Sequence, residues 1–321
     1  MSTADPQTNS PPLLLSLLRL ARPAQWSKSV FVLLGPAYGY ADLNTTWDHV
    51  LIPALIAVLA FSLTSSASYV FNDLKDIEQD RAHPRKRRRP IASGHVSIRQ
   101  AQVFGVALYM GAIASLFLLD ASVRSWVALW IGIYIINVSL YSLVFKHVLI
   151  ADVMCLSIGF VLRVVAGCAA VGITPSLWLL NVTFFLSMFL AFGKRLGEQR
   201  MLGENAVSSR TVHELYTHSL LQMSVVVTAV ATLLTYTGYI QQQSEQFGAG
   251  RVWYWLTVLP ATYCLFRCIV LLDAGRYDDP PRSPPRIAPS WSPLCSLPPS
   301  PGGASGCSDW RAGAPLRSEV S

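Results

Sequence analysis

The chain has 321 residues, 52% of them hydrophobic and 13% charged, with a mean hydropathy of +0.40 and a net charge of +7. Soluble domains carry about a quarter charged residues, so this composition excludes a soluble globular protein and a disordered one alike. A basic balance on so apolar a chain points to basic loops at a membrane and away from nucleic acid as a partner. The six cysteines form no CxxC pair and no His-spaced metal pattern. Cys155, Cys168, Cys264 and Cys268 lie in apolar segments, where they read as small packing residues.

The first element is a leucine-rich stretch, LLLSLLRLARP, after Pro11 and Pro12. Arg19 and Arg22 interrupt it and no basic stretch precedes Leu13, so it reads as an interfacial helix and not as a cleavable signal. Apolar runs long enough to span a bilayer fall at about 27–42, 51–71, 98–119, 124–145, 150–173, 176–193, 218–240 and 252–272. The expected fold is therefore an all-α integral membrane protein, a multi-span helical bundle with eight readable spans. Lys75, Arg81, Arg85 and Lys86–Arg89 follow the second span, and Lys194, Arg195, Arg200 and Arg210 follow the sixth, with Lys146 after the fourth. The alternate loops carry only Arg124 and Arg251. The positive-inside rule then places the N-terminus and both large loops in the cytoplasm, in a cell (inner or plasma) membrane.

Three regions follow: an N-terminal segment (1–26), a transmembrane domain (27–274) and a tail (275–321). The tail holds ten of the chain's 20 prolines with no apolar periodicity, so it reads either as a disordered extension or as a shifted reading frame.

Where the second span meets the cytoplasm the sequence reads NDLKDIEQDRAHPRKRRRPIASG. Asn72, Asp76 and Asp80 are spaced i, i+4, i+8, which stacks them on one helix face with Asp73 beside them. Like charges at that spacing repel, so the ladder asks for a cation. Hard oxygen donors suit Mg²⁺, which keeps waters and shares its shell with substrate phosphates. The run Arg85–Arg89 alongside can take phosphate oxygens. On the fifth span, Asp152 and Arg163 are about three turns apart, on one face and roughly 16 Å along the axis. Arg163 then lies deep in the membrane, where an ionisable residue marks a functional site by default.

The pattern N-D-x-x-D-x-x-x-D followed by R-P-I-A-S-G resembles the first motif of the UbiA superfamily of intramembrane prenyltransferases. The resemblance covers roughly residues 20–274. It implies a helical bundle, usually of nine spans, whose central cavity opens to the cytoplasm, so the proline-rich tail stands where a ninth span is expected. Members usually carry a second aspartate-rich motif after the sixth span. Here that loop reads GKRLGEQR, with Lys194, Arg195 and Glu198, a cationic site that can hold phosphate directly.

Together with YSLVFK…D…R-x-x-A-G and the N-terminal RPAQWSK, this loop resembles the branch whose members transfer phosphoribose to decaprenyl phosphate. That resemblance implies Mg²⁺-dependent attack of a polyprenyl phosphate on 5-phosphoribosyl 1-diphosphate, giving a lipid-linked pentose for cell-wall arabinan. It implies Asn72, Asp73 and Asp76 as metal ligands and Asp73, Asp76 and Asp80 as the catalytic carboxylates. Lys28, Lys146, Lys194 and Arg195 are expected on the sugar and lipid phosphates, with Arg81 and Arg85 beside the ladder. Tyr141 or Glu198 would orient the ribose, and Asp152 and Arg163 complete the binding set. Association of copies of the chain is left open. Two rivals are a prenyltransferase with a prenyl diphosphate donor and an aromatic acceptor, which the missing second acidic motif opposes, and a transporter, which the cytoplasmic aspartate ladder opposes.

Overall fold

A computed structural model describes residues 12–39, 46–84, 86–202, 216–247 and 251–273. The tail region 275–321, Arg85 and Arg210 lie outside the described residues. The elements are α1 (Leu13–Ala21), a 3-10 segment (Pro23–Leu33), α2 (Leu34–Gly39), α3 (Trp47–Lys75), α4 (Ile77–Ala82) and α5 (Ile98–Leu116). They continue with α6 (Ala121–Leu143), α7 (Ala151–Ala170), α8 (Leu177–Leu202), α9 (His218–Phe247), α10 (Arg251–Leu256) and α11 (Val258–Asp273). The all-α expectation holds.

Among the described residues, six helical stretches are long and apolar enough to cross a membrane: His49–Lys75, Ala121–Leu143, Ala151–Ala170, Leu177–Gln199, His218–Gln242 and Trp253–Leu272. Two of the eight expected spans differ from their sequence reading. The run 27–42 is divided between the 3-10 segment and the short α2. The run 98–119 forms the 19-residue α5, whose first turns carry Arg99, Gln100 and Gln102 and dilute its apolar character. Ser97 and Gln100 form a reciprocal capping box at its start, which fixes where the helix begins. The last stretch breaks at Thr257 because Pro260 has no N–H for the carbonyl one turn back.

The most buried of these stretches is α7, which packs against α6, α8, α2 and the 3-10 segment. Its contact with the 3-10 segment is so close that a Cβ on Gly167 would meet the Val32 carbonyl oxygen at 1.8 Å. A Cβ on Gly35 would meet Cys168 Sγ at 2.2 Å. Only glycine fits at either crossing. Helix α3 contributes a stripe of small hydroxyls in place of apolar knobs. Ser62 donates to Ser29, Ser65 pairs with the Tyr134 hydroxyl, and Ser66 donates to the Ala21 carbonyl while accepting from Trp26 Nε1. Small polar residues of this kind join helices where water is absent. Outward residues such as Leu55, Val106, Ile136 and Val227 are exposed, as a lipid-facing surface requires.

The alternation of helix directions brings the C-terminal ends of α3, α6 and α8 and the N-terminal ends of α5, α7 and α9 to one end of the bundle. Every cluster described next is built at that end or just beneath it.

Candidate active site

Helix α3 ends at Lys75, and Asp76 (φ −93°, ψ 13°) bends the chain into α4. The bend keeps helical hydrogen bonds, Asp76 N–H to Asn72 O at 3.0 Å and Asp80 N–H to Asp76 O at 2.8 Å. The expected ladder therefore survives the break between helices. Asp73 and Asp80, seven residues apart, share one face, and each is 2% exposed. Arg89 Nη1 donates to Asp73 Oδ1 at 2.9 Å and to Asp80 Oδ2 at 2.6 Å. Arg22 grips both oxygens of Asp73 at 2.6 and 2.7 Å. Lys146, in the 3-10 turn after α6, reaches Asp76 Oδ1 at 3.2 Å, and Ser142 donates to Asn72 Oδ1.

The ladder's demand for a cation is thus met by Arg22, Arg89 and Lys146. Among the described residues, no three His, Cys, Asp or Glu side chains group as a metal cage. The donor set still fits Mg²⁺: it is entirely hard oxygen, and two buried carboxylates converge on the single point where a guanidinium nitrogen now sits.

Arg22 belongs to the RPAQWSK motif, but its pairing with Asp73, 51 residues away, carries no spacing signal. It ends α1 in the left-handed region, at φ 53° and ψ 58°, with Pro23 preventing the helix from continuing. Its guanidinium also lies 5.0 Å from the centre of the Tyr69 ring.

A second cluster joins α7, α8 and the approach to α9. Arg195 pairs with Asp152, which is 2% exposed. The Tyr216 hydroxyl donates to Asp152 Oδ1 at 2.9 Å, accepts from Arg195 at 3.1 Å and accepts from the Ile150 N–H at 2.8 Å. That phenol uses its one donor and both acceptor sites. Burial pushes its ionisation up to about 12, so it remains a donor at any working pH. Ile150 sits at φ 67° and ψ −43°, with the Ala151 N–H bonded to the Leu149 carbonyl at 2.7 Å. This is the rare, strained form of the γ-turn. Tyr216 had no sequence signal: no motif surrounds it.

Between the clusters lie the remaining cations. Arg163, 5% exposed, faces no carboxylate among the described residues. It donates to the Gly159 carbonyl at 2.6 Å, Tyr134 Oη at 2.9 Å and Ser65 Oγ at 3.2 Å. The rings of Tyr134, Phe160 and Phe61 lie 4.7, 5.4 and 5.9 Å from its centre, and its Nε is unpartnered. Asp152 and Arg163 do not pair with each other, in keeping with the three turns between them.

Lys28, on the 3-10 segment and outside the six spans, is exposed. The protein packed around it, with the charges of Arg163, Lys194 and Arg22, pushes its ammonium down to about 8. Lys194 is 62% exposed and only 3.8 Å from Glu198, the loose contact expected of a surface pair. Tyr141 lies within electrostatic reach of Tyr69. Arg81 Nε donates to the Ala92 carbonyl at 3.4 Å.

Taken together, these features define an integral membrane protein with a charged site at one end of a helical bundle, its carboxylates on one side and unpaired cations beneath. Residues 29–286 match the UbiA prenyltransferase family, and the chain belongs to that family. The match runs past Gly275, where the composition changes. The chain is 34% identical over 273 residues to a decaprenyl-phosphate phosphoribosyltransferase of Corynebacterium glutamicum, covering 84% of this chain and 81% of that one. It is 30% identical over 269 residues to the Mycobacterium tuberculosis protein of the same name, covering 84% and 87%. Its fold is similar to that of a UbiA homolog from Archaeoglobus fulgidus bound to GPP and Mg²⁺. That similarity has a TM-score of 0.61 at 17% identity, over 84% of this chain and 91% of that one.

Proposed function

We propose that the protein transfers 5-phosphoribose from 5-phosphoribosyl 1-diphosphate to a polyprenyl phosphate at the cytoplasmic face of the membrane. The observation that carries this reading is the distribution of charge. One part of the site holds the carboxylate ladder, and near it lie Lys28, Arg163 and Lys194 with no second carboxylate pair among the described residues. One metal-bound diphosphate would use the ladder. Further phosphates, on the pentose and on the lipid, would use the cations. The relatives' names support the same chemistry.

The acceptor phosphate is already an anionic nucleophile at neutral pH, so no general base is required. Its oxygen attacks C1 of the pentose, the bond from C1 to the diphosphate oxygen breaks, and diphosphate leaves with the electron pair. Asn72, Asp73, Asp76 and Asp80 would hold Mg²⁺, which when bound supplies charge neutralisation for the leaving diphosphate. Arg89 and Arg22, displaced from the carboxylates, are placed to donate to diphosphate oxygens. Lys28 and Lys194 position the two substrates' remaining phosphates, and Arg163 holds a fixed positive field beneath them. Lys146 fixes Asp76, and Arg195 with Asp152 fixes the neighbouring helix ends.

The test is turnover of radiolabelled 5-phosphoribosyl 1-diphosphate with decaprenyl phosphate by the purified full-length chain, with the lipid product identified by mass. The expected product is polyprenyl-phosphoryl-5-phosphoribose, formed only with Mg²⁺. Consumption of geranyl diphosphate on an aromatic acceptor instead would overturn the reading in favour of a prenyltransferase.

A further inference from the structure

Tyr69 is on α3 one turn before Asp73, so its side chain lies next along the same face. The continuation of that face reads Ser65, Ser62 and then the 3-10 segment, so Tyr69 stands between the carboxylate ladder above and the Arg163–Tyr134–Ser65 group below. Its ring is held by the Arg22 guanidinium, 5.0 Å from the centroid, and by its place on a packed helix. The charges that act on its hydroxyl include those of Arg163 and Arg22, with the phenols of Tyr134 and Tyr141 in the same neighbourhood. The other phenols in this region have assignments: Tyr134 bonds Arg163 and Ser65, Tyr109 bonds Ser68, and Tyr216 is saturated. The Tyr69 hydroxyl makes no hydrogen bond to any described residue, although the residue is only partly exposed. A half-buried phenol whose hydroxyl has no hydrogen-bond partner among the described residues, with Arg22 over its ring and Arg163 acting on it, is a polar group prepared for a ligand.

We infer that Tyr69 is a specificity-determining residue, whose hydroxyl contacts the pentose or its phosphate and so favours a sugar diphosphate over a prenyl diphosphate. This rests on the functional reading above and deepens it. The chemistry is asymmetric. A site with a polar group awaiting a hydroxyl or phosphate oxygen rejects a ligand that offers only hydrocarbon, because the group then stays desolvated and unpaired. Both classes of donor share the diphosphate, so the ladder alone does not distinguish them. The difference lies in what sits next to C1, one helical turn deeper, which is the level of Tyr69.

The experiment uses the full-length chain in detergent with Mg²⁺ and measures binding of 5-phosphoribosyl 1-diphosphate and of geranyl diphosphate, for the native chain and Tyr69→Phe. Phenylalanine keeps the ring against Arg22, and thermal melting of both proteins checks that the fold is intact. The expected result is a loss of about tenfold in affinity for the sugar diphosphate, with geranyl diphosphate binding unchanged or tighter. In turnover, the KM for the sugar donor rises while the KM for decaprenyl phosphate does not. Native protein that prefers the sugar diphosphate, with Tyr69→Phe equally selective, overturns this inference and leaves the functional reading standing. Native protein that prefers geranyl diphosphate overturns both.

Discussion

Asp73 and Asp152 are each 2% exposed, each faces arginine, and each sits at the same end of the bundle. Their surroundings differ in one respect. Around Asp152 the partners come in equal number: one carboxylate, one guanidinium, and a phenol whose hydrogen-bonding capacity is full. Around Asp73 the partners are shared and more open. Arg89 divides itself between Asp73 and Asp80, and Arg22 and Arg89 are 26% and 28% exposed, against 13% for Arg195. A saturated pair holds a structure in place. A shared pair that solvent reaches can exchange its cation for another, and hard oxygen donors define which cations compete.

The comparison is broken most severely at Asp152. Asp152→Asn leaves Arg195 without its counter-charge, and loss of a buried partner costs about 3 kcal/mol. The expected outcome is a clear drop in melting temperature, with Mg²⁺-dependent donor binding retained wherever the protein remains folded. Asp73→Asn should do the reverse, lowering turnover by about 100-fold or more and abolishing the Mg²⁺ dependence of binding, with a smaller change in melting. Equal effects of the two substitutions on both measurements would erase the distinction.

Lys28 supplies a pH test. An ammonium with a pKa of about 8 is charged below that pH and neutral above it. Anion binding should therefore weaken as pH rises through about 8, by roughly tenfold for one charge-assisted hydrogen bond. The free protein's midpoint should appear in kcat/KM, and Lys28→Arg should flatten the profile. A flat profile in the native chain would remove Lys28 from the site.

Arg89→Gln sharpens the exchange idea at smaller scale. With the shared guanidinium gone, Mn²⁺ used as a probe should bind several-fold more tightly in the absence of any diphosphate, measured by titration calorimetry. The smallest expected effect is at Ile150. Replacement by Asn, which tolerates positive φ, should stabilise the protein by up to about 1 kcal/mol, read as a slight rise in melting temperature.

Much of this was legible in the sequence because it is local. The Asp ladder depends on spacing within about two turns of chain, and it persisted through a helix break because the i, i+4 bonds did. Arg22 was legible only as a member of the RPAQWSK motif, without its place on Asp73, and Tyr216 was not legible at all, because what makes them matter is a partner 51 or 64 residues away. The division of the first expected span was hidden for a different reason. An apolar 3-10 segment and an apolar α-helix share a composition, and only the crossing at Gly35 and Gly167 distinguishes this one. The break before α11 did carry a signal in Pro260, which a hydropathy reading averages away.

The node at Tyr216 also has a consequence for how the chain is made. Asp152 leaves the ribosome well before Arg195, and Tyr216 follows it by 64 residues. Until α8 and the start of α9 have been synthesised, the first turn of α7 presents an uncompensated carboxylate at the bilayer's edge and a backbone N–H with no acceptor. The entry of α7 into the membrane is therefore finished by segments not yet translated when it begins. A nascent chain arrested after α7 should expose Asp152 to water, and one arrested beyond Tyr216 should hide it.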